Sequence, residues 1–179
     1  MPITLHQKTD EAADQFAALG VLNQSIWPPK ESAAWPGRKY EWTPRQASVI
    51  VWNDDRSQAL AHAGIMLRAG HWNERPVRIG GIGGVQTHPG HRHQGHARAA
   101  IARCVEFFRE QGDIDIGLLV CVPELVPFYE RLGWQPFLGT LRVMQFGNAC
   151  DFTFLLPLTY PLRETSKLTG VIDLLGPPW

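Results

Sequence analysis

Between Val85 and Ala97 the sequence reads VQTHPGHRHQGHA, an apolar strand-forming run stopped by Pro89 and Gly90 and followed by a glycine and an alanine, Gly95 and Ala97, where a helical pattern begins. The first amides of a helix have no intrahelical acceptor, and the helix dipole puts partial positive charge on them. A small residue at that point lets phosphate oxygens reach the backbone, so the junction suits a pyrophosphate. One such interaction is worth only about 0.3–1 kcal/mol when exposed, so several amides and Arg92 must act together. A dinucleotide fingerprint would need three spaced glycines here, and they are absent. His88, His91, His93 and His96 could converge on a metal, but Arg92 lies among them and no acidic or thiol ligand is near, so no metal is expected.

The elements around the junction follow from patterning. A first helix is expected from Asp10, its cap, to Gly20, followed by an ordered loop from Asn23 to Gly37 that holds Trp27 and Trp35 among prolines. Strands at about Ala47–Trp52 and Gln58–Leu67 form a hairpin across Asn53–Arg56, and Gly70–Pro76 leads to a strand at Val77–Thr87. Four glycines in that strand (80, 81, 83 and 84) call for a bulge or a close backbone approach. A long helix over Arg92–Gln111, a buried strand at Ile114–Val122, a short helix at Glu124–Leu132 and a last antiparallel pair, Leu138–Phe146 and Phe152–Leu158, complete an α/β arrangement with a mixed, mostly antiparallel sheet flanked by helices.

The chain has 179 residues, which suits a single domain over 1–179, and no internal repeat. Seventeen basic residues balance seventeen acidic ones, so no global field favours nucleic acid or an anionic membrane. Cys104, Cys121 and Cys150 each sit in an apolar stretch, as buried thiols do, and no run approaches the roughly 18 apolar residues of a membrane span. A cytoplasmic protein is expected. The oligomeric state stays open, a homodimer included.

Arg92, Gly95 and Ala97, after a strand ending Val85-Gln86-Thr87, resemble the cofactor signature of the GCN5-related N-acetyltransferases. The run Pro127-Phe128-Tyr129-Glu130-Arg131-Leu132-Gly133-Trp134 resembles their second landmark, a tyrosine in a short helix before a Gly-aromatic pair. The resemblance implies acetyl-CoA as co-substrate. It implies that Val85 and Thr87 pair with the pantetheine arm and that the backbone from His93 through Gln94, Gly95 and His96 to Ala97 holds the pyrophosphate. It further implies a sheet splayed at a bulge in the glycine-rich strand to lodge the thioester, and Tyr129 as the acid that protonates the departing thiolate. A phenol near pKa 10 can donate to a thiol near 8.5.

A lysine-like amine near pKa 10.4 is free in about one molecule per thousand or fewer at pH 7, a cost of roughly 4–5 kcal/mol, so a base is expected. Many relatives carry a glutamate on the glycine-rich strand, where this chain has Gly81, Ile82, Gly83 and Gly84. Glu124, Asp151, His88 and the terminal carboxylate of Trp179 are the alternatives. Within the family, Tyr129 to Pro136, Phe154 to Leu158 and an ending in tryptophan after Lys167-Leu168-Thr169-Gly170 are similar to aminoglycoside 2'-N-acetyltransferases. Trp27, Trp35, Asp151 and Trp179 are the expected acceptor contacts. Two readings follow: an N-acetyltransferase of a small-molecule amine, aminoglycoside-like or a peptide N-terminus in variant forms, and a non-catalytic acyl-CoA binder that has lost its base.

Overall fold

The computed structural model describes residues 1–7, 9, 13–163 and 168–179. Asp10, the expected cap of the first helix, lies outside them, as does Lys167. That helix, α1 (Ala13–Ile26), runs through Gly20 rather than ending there. Gly20 has open space around it, and Leu19 and Leu22 bury one side of α1 against the sheet. The expected loop contains a second helix, α2 (Pro29–Ala34), and a 3-10 turn, Pro36–Lys39. Proline at the first position of each starts a helical turn at no hydrogen-bond cost, which is why the proline-rich composition did not exclude them.

The sheet is built on β3 (Ala59–Trp72), which pairs with β2 (Ala47–Trp52) along its first half and with β4 (Arg75–Thr87) along nearly its whole length. The β3–β4 connection is far tighter than the expected Gly70–Pro76 segment. Asn73 and Glu74 both take positive φ, 49° and 67°, as a two-residue hairpin requires. An unforeseen strand, β1 (Ile3–Gln7), adds to β2.

β5 (Ile116–Cys121) lies parallel to β4, and β9 (Leu156–Pro161) covers its other edge with the short β6 (Gln135–Pro136) beyond. The expected closing pair does not form. β7 (Thr140–Gln145) pairs with β8 (Asn148–Asp151), and β10 (Val171–Asp173) joins β7 to the far half of β3. Short strands carry few alternating positions, so the pattern did not separate β8 and β10 from loop. Cys150, on edge strand β8, is exposed, while Cys104 and Cys121 are buried as expected.

Two apolar layers sandwich the sheet. On one face lies α3 (His96–Gln111), whose Ala100, Ile101, Cys104, Val105 and Phe108 recur at helical spacing and pack on Val49, Ala63, Ile65, Ile82 and Leu119. On the other, Met66, Ile79, Leu118, Val143, Phe152, Leu174 and Trp179 pack together. The glycines of β4 serve both layers. A Cβ on Gly80 would stand 2.7 Å from the Phe108 ring, and one on Gly81 would stand 2.3 Å from the indole of Trp179.

The indole therefore occupies the room that a side chain at Gly81 would need. Gly81→Ala is expected to lower stability by about 1–3 kcal/mol through overpacking, read as a fall in Tm. The penalty should shrink in a Trp179→Ala background because the two positions share one space. Additive penalties would show that the ring does not constrain Gly81.

Candidate active site

The pairing of β4 with β5 stops at Ile82–Leu119, although the strands run on to Thr87 and Cys121. The cause is local. Opposite His62 and Gly64 of β3 the register of β4 jumps from Gln86 to Gly83, and Gly84 in the resulting bulge has φ 57°. The bulge bends β4 away from β5, so the strand from Gly83 onward, which holds Val85 and Thr87, has no sheet partner on its β5 side.

One residue that the sequence did not single out holds this bulge. His62 is 7% exposed, and its Nδ1 lies 3.0 Å from Gly84 O while its Nε2 lies 3.3 Å from Ser48 Oγ. Arg45 Nε in turn donates to Ser48 Oγ at 2.7 Å. With the proton on Nδ1, the imidazole donates to the bulge carbonyl and accepts from the serine. A lone histidine in an apolar strand opposite four glycines was the available signal.

Beyond β4 a 3-10 turn, Pro89–His91, leads to the loop. His88 Nδ1 accepts from Gly90 N at 3.2 Å, so this candidate base is engaged in shaping the turn. His93 and Gly95 take positive φ, 61° and 85°, and Gly95 stands at the N-cap of α3 with nothing within 4 Å of a would-be Cβ. α3 thus begins at His96 rather than Arg92, because the left-handed residues must complete the loop first. Arg92, His93, Gln94 and Gly95 are exposed, Ala97 is half-buried, and His96 is buried with Nε2 3.3 Å from Gln94 Oε1. Burial, with His91 nearby, pulls the pKa of His96 below its ordinary value, so it is neutral at pH 7. An open, glycine-capped helix start at the end of a strand with one open edge fits a pyrophosphate continuing into an extended pantetheine chain. Further along α3, a cavity of about 260 Å³ between that helix, the 131–132 segment that follows α4 (Val126–Glu130) and Tyr160 of β9 is lined by Arg98, Arg109 and Arg131 together with Glu106.

Tyr129 is on α4 and is 5% exposed, with the Phe128 ring 5.0 Å away. Gly133, at φ 88°, turns the chain so that Trp134 N bonds back to Tyr129 O at 3.2 Å. Burial raises the phenol's pKa above its ordinary value, and nearby Cys121, at the end of β5 that β4 no longer pairs, adds to the rise. The hydroxyl therefore stays a proton donor. Burial, with the charge of Glu124, also pushes the Cys121 thiol up to about 11, which removes it as a thiolate nucleophile near neutral pH.

The candidate acceptor contacts are divided. Asp151 is exposed on β8 with Arg142 Nε 3.9 Å away, and Glu124 is exposed on the 3-10 turn Pro123–Leu125. Trp27 and Trp35 pack together at 6.3 Å, and Trp35 stacks on Trp42 at 5.5 Å. Trp179 is 7% exposed, donates Nε1–H to Leu118 O at 3.2 Å, and places its last backbone carbon 3.1 Å from a would-be Cβ on Gly83. Arg68 and Thr43 hold the segment there. Arg68 Nη1 donates to Pro177 O at 2.6 Å, and Thr43 N donates to Pro178 O at 2.7 Å.

Comparisons with known proteins identify the family and the fold. A family model described as Acetyltransferase (GNAT) domain matches residues 8–137, so the chain belongs to the GNAT acetyltransferases and is an acyltransferase. Escherichia coli ElaA has a similar fold (TM-score 0.62, 12% identity, 89% of this chain and 98% of that one). So does the GNAT family N-acetyltransferase YhbS from Escherichia coli, solved in complex with CoA (TM-score 0.61, 14% identity, 97% and 89%). An acyl-CoA N-acyltransferase from Pseudomonas aeruginosa is alike to the same degree (TM-score 0.61, 14% identity, 89% and 98%). No curated protein matches the sequence. Among the described residues, no helix is long and apolar enough to cross a membrane.

The loop geometry has a direct test. Gly95→Val is expected to weaken CoA binding tenfold or more, about 1.4 kcal/mol, because a β-branched residue resists positive φ and intrudes on the phosphate path. His93→Asn, which tolerates the left-handed region, should bind CoA nearly as the parent does. Equal calorimetric affinity for Gly95→Val would remove the pyrophosphate from this loop.

Proposed function

We propose that the chain, as one domain over residues 1–179, is an acetyl-CoA-dependent N-acetyltransferase of a small-molecule amine that attacks the acyl carbon directly. The observation that carries this reading is the stretch from Gly83 to Thr87, paired with β3 but open on its β5 side, which leads into the glycine-capped start of α3, with buried Tyr129 near Cys121 of β5.

Acetyl-CoA, when bound, supplies an activated acyl group. The chain's residues then have separable tasks. Amides from His93 to Ala97, with Arg92, bind the pyrophosphate, and the backbone of Val85 and Thr87 aligns the pantetheine arm as an added strand. Tyr129 holds a proton for the departing sulfur, and its raised pKa keeps that proton in place through the neutral and mildly alkaline range. With the Cys121 thiol protonated, direct transfer is favoured over an acyl-cysteine route.

An aminoglycoside-like acceptor is the finer form of the reading, and the observations here favour other small amines. Gly81 and Gly83 stand where a strand carboxylate would, with Trp179 filling the space, and the Asp151 carboxylate has Arg142 beside it.

Tyr129→Phe keeps the ring and deletes the donor. It is expected to lower kcat by roughly 10²-fold with calorimetric CoA affinity unchanged. The parent's kcat should show no fall from phenol ionisation below pH 10, since a raised pKa delays loss of the proton. An unaltered kcat in the variant, with chemistry rate-limiting, would reduce Tyr129 to a packing residue.

A further inference from the structure

Six rings form one continuous wall on the face of the sheet that carries Trp179. Tyr40 stacks on Phe154 with centroids 4.9 Å apart, Trp35 stacks on Trp42 at 5.5 Å, and Phe152 meets Tyr40 and Trp42 edge-on at 5.7 and 5.9 Å. Trp27 adds to the outer end against Trp35. The inner end is tied to the glycine strand. Trp42, Phe152 and Phe154 pack in the same apolar layer as Trp179, and Thr43, next in sequence to Trp42, bonds Pro177 O and Pro178 O at 2.7 Å each. The wall therefore runs from the indole lying on Gly81 out to Trp27 and Trp35, which keep 42% and 37% of their surface exposed.

Among the described residues, two cations lie beside these rings. Lys39 Nζ sits 5.5 Å from the Tyr40 ring centroid, and the Arg68 guanidinium sits 5.5 Å from that of Trp179. Two described carboxylates adjacent in sequence to the rings have partners of their own. Glu41 accepts from the amide of Phe146, and Asp151 faces Arg142. A polyamine or aminosugar would have to lose the hydration of several ammonium groups against apolar rings. A flat apolar body with one amino group would gain ring stacking along the wall and bring only the reacting nitrogen to the gap beside β5.

We infer that the acceptor is a monoamine carried on an aromatic or similarly flat apolar body, bound with its ring against Trp27 and Trp35. This rests on the acetyltransferase reading above and narrows it to a substrate class.

The test measures acetyl-CoA-dependent thiol release with 2-phenylethylamine and tryptamine against spermidine and kanamycin, together with calorimetric binding of the same amines to the CoA-saturated protein. The arylalkylamines are expected to show kcat/KM at least tenfold above the polycations. Trp27→Ala, which removes a partly exposed ring, should raise their KM severalfold and leave the KM for acetyl-CoA unchanged. Trp35→Phe, which keeps a ring over Gly37, should behave more like the parent. Preference for spermidine or kanamycin, or a Trp27→Ala effect equal on both substrates, would overturn the inference. Binding of tryptamine without turnover would uphold the acceptor class and overturn acyl transfer, while no binding of either arylalkylamine in the presence of CoA would overturn the acceptor class itself.

Discussion

The structure depends on a pairing that ends early. β4 and β5 hold together through four residue pairs, Ile79–Ile116 to Ile82–Leu119, and then part. In an ordinary sheet, leaving the following amides and carbonyls unpaired would cost free energy for each buried group. Here the cost is limited because the bulge at Gly83 and Gly84 turns those groups toward an opening that an extended ligand chain can line. His62 satisfies the one carbonyl that the bulge displaces. The glycine-capped start of α3 stands at the end of the same strand, so one continuous backbone path is open to the extended chain and the diphosphate of the proposed co-substrate.

The face opposite α3 obeys a second constraint. Gly81 and Gly83 leave room beside the gap, and the segment Leu174–Trp179 fills it. Arg68 crosses to Pro177 O and also bonds Thr43 Oγ1 at 2.7 Å, so the tail, the segment after the aromatic turn and β3 are fixed by one guanidinium. Two prolines lower the entropy cost of holding the tail, and the indole supplies the buried area. The same packing brings the ring wall to the glycine strand. Glycines that weaken β4 as a strand are therefore repaid by contacts from both layers.

The glycine-capped helix start and the order of the central elements were legible in the sequence because each rests on a local rule, a small residue at a helix start or a period of 3.6 or 2, whereas Tyr129 stood out only through the resemblance of the run from Pro127 to Trp134. Trp27, Trp35 and Trp179 stood out as large apolar groups in irregular segments, but their partners did not. Tyr40, Trp42, Phe152 and Phe154 meet only through tertiary packing. The role of His62 depends on a cross-strand register that no local pattern encodes. The ends of α1 and β3 and the existence of β8 and β10 were missed for the same reason: Leu22 and Trp72 extend their elements through contacts with distant chain, and three- or four-residue strands carry too little alternation to read. Of the histidines prominent in sequence, His88 shapes the 3-10 turn, His93 takes a left-handed loop position and His96 is buried as the first residue of α3.

Backbone hydrogen exchange with and without CoA tests the central claim most directly, since it reads the unpaired amides themselves. The account predicts that CoA slows exchange at Val85, Thr87 and the amides from His93 to Ala97, with little change along β7 and β8. Unchanged exchange from Val85 to Ala97 in CoA-saturated protein, or protection confined to another part of the sheet, would contradict it.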